Sequence, residues 1–322
     1  MFSVVIPLYN KEDFILSTVE SVLGQNFTDF ELLIVDDGSV DGSLLALKDI
    51  DDCRVRILPQ SNQGVGAARN KGMAEAKYDW IAFLDADDLW SIHHLNELNE
   101  ITKISSSLGM IATGSLKTKN LNLPTAEQYE PGKIRLVDYF VEASKKPELI
   151  HTSCVAINKK VFHDIGGFSD KGSGEDLEYW VKVALSYPVA VSDKVTSYYL
   201  LGTGGIMDTQ HKARQKIPQV ISSINDMSPA ISLLVKESLK NPDILKEKRI
   251  KKYINSVLFS IVKVAVYNDN IFLAKGYSKL ALPQLNSTYI FFPIFRVTPN
   301  LILNKIKNRY SKAKEVRETL ID

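Results

Sequence analysis

Asp85-Ala86-Asp87-Asp88 follows directly on the apolar run WIAFL and places three carboxylates within one turn. Like charges that close repel one another, and burying them at a strand end is costly unless a cation is present. Oxygen ligands at this density suit Mg²⁺ or Mn²⁺, both of which usually keep part of their coordination shell for substrate phosphates. A solvated turn, with Asp88 capping a helix that begins near Ser91, accounts for the same residues without a metal. A second acidic pair, Asp36-Asp37, follows FELLIV and precedes Gly38-Ser39. Its oxygens could accept hydrogen bonds from a base edge or ribose hydroxyls, or simply close a strand-to-helix turn capped by Ser39 or Asp41. The third segment, Asn62-Gln63-Gly64-Val65-Gly66-Ala67-Ala68-Arg69-Asn70, reads as a glycine-rich helix entrance. Exposed N–H groups and the Arg69 guanidinium could hold a diphosphate there, although an ordinary helix start explains the glycines equally well. The segment departs from the dinucleotide-binding fingerprint and sits in the wrong part of the chain for it, which argues against a nicotinamide enzyme.

These segments need elements to position them, and the hydrophobic pattern supplies candidates. FSVVIPL, FELLIVD, VRIL and WIAFLDA are short apolar runs of strand type. EDFILSTVESVLGQ, a stretch near Leu44–Ile50, GAARNKGMAEAK, and a run carrying Ile92, Leu95, Leu98, Ile101 and Ile104 have helical periodicity. Alternation of this kind predicts βαβ units and a mostly parallel sheet with helices on both faces. Such sheets bind ligands beyond the carboxyl ends of their strands, which is where the acidic segments fall. Residues 115–135 read as a loop broken by Asn120, Asn122, Pro124 and Pro131-Gly132. TSCVAIN is then expected as a strand, KVFHDI as a short helix and EDLEYWVKVALSY as a longer one. His93 and His94 are expected on the surface. Beyond about residue 205 the texture becomes helical and proline-punctuated, so a boundary is placed there.

Bulk properties exclude several classes. The 322 residues, 45% of them hydrophobic and 24% charged, describe a globular chain. A formal net charge of +1 gives no global field for nucleic acid. Cys53 and Cys154 have no metal or redox spacing and are read as buried thiols. The N-terminal FSVVIPLYN lacks the basic start and the length of a signal peptide, so a cytoplasmic location is expected. No window is apolar enough to span a bilayer; the nearest, at 289–303, is broken by Pro293, Arg296 and Pro299.

Taken jointly and in order, SVVIPLYN, SVLGQ, FELLIVDDGSVDGS, NQGVGAARNKG and WIAFLDADD across residues 3–90 resemble the family-2 glycosyltransferases of GT-A fold. A second stretch, TSCVAINKKVFHDIGGFSDKGSGEDLEYWVKVA at 152–184, is similar to that family's acceptor-side region. The resemblance implies an α/β fold of Rossmann-like mixed-sheet type, with a GT-A domain over 1–205. Its halves would be a nucleotide-sugar-binding part, 1–115, and an acceptor-side part, 116–205; a mainly helical region would follow over 206–322. It further implies that Pro7 and Tyr9 line a base pocket, that Asp37 reads the base with Asn62 or Arg69 nearby, and that Asp85 contacts ribose or metal. Asp87 becomes the principal Mn²⁺ or Mg²⁺ ligand with Asp88 as a candidate helper, and Asp176 the catalytic base of an inverting transfer. Glu175 would orient the acceptor or the loop, and otherwise both acids would serve the first turn of their helix. His211 is a further metal candidate or a solvated loop histidine. Trp180 is a sugar-stacking ring or, by its helical spacing, core.

The implied donor is a nucleotide-diphosphate sugar, with UDP as the family's commonest nucleotide, and the implied acceptor is a glycan or a lipid-linked hydroxyl. The lysine- and arginine-rich helices after residue 206 could rest peripherally on the inner membrane surface or form a homo-oligomer contact. Two rivals remain: a nucleotidyltransferase, whose glycine-rich, arginine-containing signature after the first strand is missing from PLYNKEDF, and a non-catalytic nucleotide-sugar-binding module.

Overall fold

The computed structural model describes residues 1–119, 129–146, 149–170, 174–203 and 228–267. The chain divides into two compact units, Met1–Gln215 and Lys216–Asp322. The first is built on one nine-stranded sheet. Its elements are β1 (Phe2–Leu8), α1 (Ile15–Leu23), β2 (Phe30–Asp36), α2 (Ser43–Ala46), β3 (Val55–Pro59), α3 (Val65–Glu75), β4 (Trp80–Phe83), β5 (Leu89–Trp90) and α4 (His94–Thr102). They continue with β6 (Met110–Thr118), β7 (Ile134–Val137), α5 (Tyr139–Lys145), a 3-10 turn at Thr152–Cys154, β8 (Val155–Asn158), α6 (Lys159–Ile165), α7 (Glu175–Ser186) and β9 (Val189–Leu200).

The strand order is β3-β2-β1-β4-β8-β6-β9-β5, with β7 also on β9. Every residue of β1 and β2 is buried, as expected of strands covered on both faces. Strands β3, β2, β1 and β4 are parallel, and β8 then runs antiparallel to both β4 and β6. The sheet is therefore mixed: the expected parallel arrangement holds for β3, β2, β1 and β4 and again for the β6–β9 pair, while β8, β5 and β7 run against their neighbours. That reversal has a consequence for the site. An antiparallel strand delivers its N-terminal approach, His151–Cys154, to the edge where its neighbours end, next to Asp85–Asp88. Helices α3 and α7, which lead into β4 and β9, likewise start on that edge, where Arg69 of α3 and Glu175 of α7 meet Asp85.

Helix α3 lies close on β1, because a Cβ on Gly72 would come within 2.3 Å of Val5 Cγ1. The β2 exit needs Gly38 at φ +77, where a side chain would be strained.

Several local expectations are corrected. The loop read over 115–135 is partly strand: β6 extends to Thr118, where it pairs with Leu200 of β9, and β7 includes Ile134 and Arg135. The helix near Leu44–Ile50 is only the four-residue α2. His94 is fully buried rather than on the surface, stacked 4.0 Å from Trp90 with Nδ1 2.9 Å from Thr196 Oγ1. Burial lowers its pKa to about 3, so the ring is neutral. Cys154 is buried as expected, whereas Cys53 is exposed because it lies on the turn before β3.

In the second unit, α8 (Pro229–Lys240) begins with Pro at its N1/N2 position, where a missing N–H costs nothing. A 3-10 turn at Ile244–Lys246 leads to α9 (Lys248–Tyr267). Their apolar faces, including Ile231, Leu234, Leu245, Ile250 and Ile254, are buried. No described helix is long and apolar enough to cross a membrane. The 289–303 window and the basic tail lie outside the described residues.

Candidate active site

The Asp85–Asp88 turn is held from three directions. Asp88 N–H donates to Asp85 O (3.0 Å), and Thr18 Oγ1 of α1 donates to the carbonyls of Ala86 (3.1 Å) and Asp88 (2.9 Å). From the reversed strand, Ser153 Oγ accepts from Asp85 N–H (3.2 Å) and donates to Asp88 Oδ2 (2.5 Å). Leu200 N–H, at the end of β9, donates to Asp88 Oδ1 (3.0 Å). Asp88, expected as a helix cap or a helper ligand, is thus buried with both oxygens bonded to protein, while α4 starts at His94 without a side-chain cap. Burial, reinforced by Asp85 and Asp87, pushes its pKa well above the ordinary carboxylate range. Its visible work is to tie β4, β8 and β9 together beneath the turn.

Asp85 and Asp87 project from the same turn to different partners. Asp85 Oδ1 accepts from Arg69 (2.7 Å), and the other arm of that guanidinium donates to Glu175 Oε1 at the start of α7 (2.8 Å). Arg69 is almost fully buried, with Nε lacking a partner. Burial alone would weaken its proton affinity, but Asp85 and Glu175 outweigh that and raise its pKa. Asp87 Oδ2 accepts from Lys11 Nζ (2.6 Å) and Thr203 Oγ1 (2.6 Å). Lys11 and Thr203 were not singled out from sequence; their only signal is that each lies just past the carboxyl end of a parallel strand, β1 and β9.

Asp176 follows Glu175, accepts from Leu177 N–H (2.7 Å) and keeps part of its surface open to solvent. Burial, then the neighbouring charge of Glu175, raises its pKa to about 6 against the opposing pull of Arg69. Asp85 also acts on it, so the Asp85–Asp88 turn and the α7 entrance share one electrostatic neighbourhood with Arg69 as hub. Trp180, considered as a sugar-stacking ring, is fully buried against Phe168 and Tyr179 and has no face to offer a ligand.

On the other side of β1, Asp37 Oδ1 accepts from Gln60 Nε2 (2.7 Å) and Gln63 N–H (2.8 Å), and Oδ2 from Gly64 N–H (2.8 Å). The carboxylate therefore shapes the loop leading into α3. Pro7 is buried opposite Val35, while Tyr9 and Asn62 are exposed. Asn10, at φ 51, stitches this rim by accepting from Val40 N–H (2.9 Å). His211 lies outside the described residues.

Among the described residues no three His, Cys, Asp or Glu side chains group as a metal cage. Asp85 and Asp87 nevertheless fit a Mg²⁺- or Mn²⁺-type ion. They are hard oxygen donors on one turn, Asp87 already holds a cation, and such ions need only one or two carboxylates when substrate phosphates complete the shell.

The family model described as glycosyl transferase family 2 matches residues 3–166. The chain belongs to that family. Among relatives of this family-2 chain, an uncharacterized glycosyltransferase of Nostoc sp. is 38% identical over 112 residues, 34% of this chain and 35% of that one. The succinoglycan biosynthesis protein ExoW of Rhizobium meliloti is 31% identical over 180 residues, 51% of this chain and 56% of that one. The chain thus spans about a third to a half of the length of these curated relatives. The fold is that of solved GT-A glycosyltransferases. S. aureus TarS 1-349 in complex with UDP-GlcNAc aligns with TM-score 0.55 at 18% identity, over 81% of this chain and 80% of that one. The mannosyltransferase PcManGT of Pyrobaculum calidifontis, in complex with GDP-Man and Mn²⁺, aligns with TM-score 0.52 at 16% identity, over 97% and 87%.

Proposed function

We propose that this family-2 chain is an inverting glycosyltransferase that moves a sugar from a nucleotide-diphosphate donor to a hydroxyl of a glycan or lipid-linked acceptor. One observation carries the reading: Arg69 bonds Asp85 and Glu175 at once, so the donor-side turn and the helix entrance bearing Asp176 lie side by side, joined by one guanidinium. TarS and PcManGT, solved with UDP-GlcNAc and GDP-Man, support a nucleotide-sugar donor, and UDP is the proposed nucleotide.

In this mechanism Pro7, Tyr9, Asp37 and Asn62 frame the base, and Asp85 and Asp87 would hold a divalent ion. When bound, that ion stabilises negative charge on the departing diphosphate. Asp176 accepts the proton of the acceptor hydroxyl as its oxygen attacks the anomeric carbon. The bond from that carbon to the diphosphate oxygen breaks, and its electron pair leaves with the nucleotide. A pKa near 6 keeps Asp176 ionised at neutral pH yet basic enough to take a proton. Glu175, neutralised by Arg69, orients the entrance of α7 rather than competing as base. The catalytic domain is assigned to residues 1–205 and the helical region to 206–322. For that region, contact with an anionic membrane surface is the proposal, and a chain that stays in the supernatant with anionic vesicles at low salt would remove it.

The test is to incubate the protein with UDP- and GDP-sugars, Mn²⁺ and candidate acceptors. Acceptor-dependent release of nucleoside diphosphate is expected. Pyrophosphate release would identify a nucleotidyltransferase instead, and donor binding without turnover would identify a binding module.

A further inference from the structure

Of the two cations hydrogen-bonded to Asp85 or Asp87 among the described residues, Arg69 is locked between two carboxylates and 4% exposed. Lys11 differs in every respect that matters. Its backbone is fixed: its N–H donates to Ser43 Oγ (2.8 Å), and its carbonyl accepts from Phe14 and Ile15 N–H at the approach to α1 (3.0 and 2.9 Å). Its side chain is flexible, and its ammonium has three hydrogens, of which Asp87 Oδ2 (2.6 Å) and Thr203 O (3.3 Å) engage two. The Lys11–Asp87 pair is partly open, at 17% and 16% side-chain exposure, so solvent and ligands reach it.

Asp87 Oδ2 therefore holds a tethered positive charge on the carboxylate assigned to the metal. A divalent ion at Asp87 and the Lys11 ammonium compete for the same electron pairs, and the ion arrives together with a diphosphate, a group that ammonium binds well. The geometry points to Lys11 as a mobile counter-ion: it pairs with Asp87 until a divalent ion takes that carboxylate, and then moves to the donor diphosphate. This rests on the donor-site reading above and adds to it a residue that gates metal entry and then binds substrate. A four-carbon stem on a fixed backbone allows that swing without rearranging β1 or α1.

The test measures binding of Mn²⁺ alone, and of UDP at saturating Mn²⁺, by calorimetry on the full chain with Lys11→Met and Lys11→Gln, each first shown to melt cooperatively. Loss of the competing charge is expected to tighten Mn²⁺ binding several-fold. Loss of the diphosphate partner is expected to weaken UDP about tenfold or more, the effect of one charge-assisted hydrogen bond. Opposite signs for the two ligands are the signature, since a merely structural lysine would weaken both or neither. Wild-type protein that binds Mn²⁺ and UDP while both variants bind them unchanged overturns the role of Lys11 alone. Wild-type protein that binds neither ligand overturns the donor-site reading together with it.

Discussion

At the scale of single residues, the chemistry proposed for Asp176 makes kinetics and stability respond in opposite directions. Transfer needs the ionised carboxylate, so turnover should rise with pH through about 6, the value to which burial and Glu175 push this group. The folded protein holds that proton more tightly than the unfolded chain, whose carboxyl titrates near 3.8. The stability this contributes is complete below that value and is lost as pH rises through about 6, because the unfolded state then binds fewer protons. At neutral pH the ionised side chain thus carries a folding penalty. Asp176→Asn should lower turnover about 10²- to 10⁴-fold. It should leave UDP affinity nearly unchanged and raise the melting temperature at pH 7.5 but not at pH 4. Turnover at the wild-type level would remove Asp176 from the mechanism; equal melting at both pH values would remove the penalty.

Between elements, Arg69 is the joint. It sits on α3, yet its two arms bind the turn after β4 and the first residue of α7. Truncation leaves two carboxylates facing one another without their counter-charge, and breaking one side of a buried pair typically costs about 3–5 kcal/mol. Arg69→Met is expected to destabilise the protein by that order in a urea titration, and adding Glu175→Gln to recover part of the loss. A urea midpoint unchanged by Arg69→Met would show that the bridge does not hold these elements together. The strands and helices that carry this joint were legible because they obey local periodicity: β1, β2 and β4 as apolar runs, α3 and α7 as segments opened by glycine. The acidic strand ends were legible for the same reason, since a parallel sheet exposes them on one edge. What was not legible depends on contacts distant in sequence. Nothing local reports that β8 runs against its neighbours, that Ser153 consequently meets Asp88 across 65 positions, or that Arg69 reaches Glu175 across 106. His94 was misplaced because its polarity outweighed its position beside Leu95 and Leu98 on the inner face of α4, where stacking on Trp90 and a hydroxyl partner satisfy the ring.

For the molecule as a whole, the proposed site makes metal and donor thermodynamically linked. Asp85 and Asp87 are each paired with a cation of the chain, Arg69 and Lys11, so a divalent ion has to compete with Lys11 for Asp87. A diphosphate alone would meet an edge rich in carboxylates and would be repelled. Together the ion neutralises the phosphates and the phosphates complete the ion's shell, so each should raise the other's affinity by the same factor. A ligand at 100 times its dissociation constant stabilises the folded state by about 2.7 kcal/mol, which for a unit of this size shifts melting by roughly 5–10 °C. The expected result is a small shift with Mn²⁺ or UDP singly and a shift larger than their sum with both, abolished by chelation and by Asp87→Ala. If UDP protects the protein equally with Mn²⁺ and with a chelator, donor binding is independent of the ion. Lys11 would then be the charge that stabilises the diphosphate.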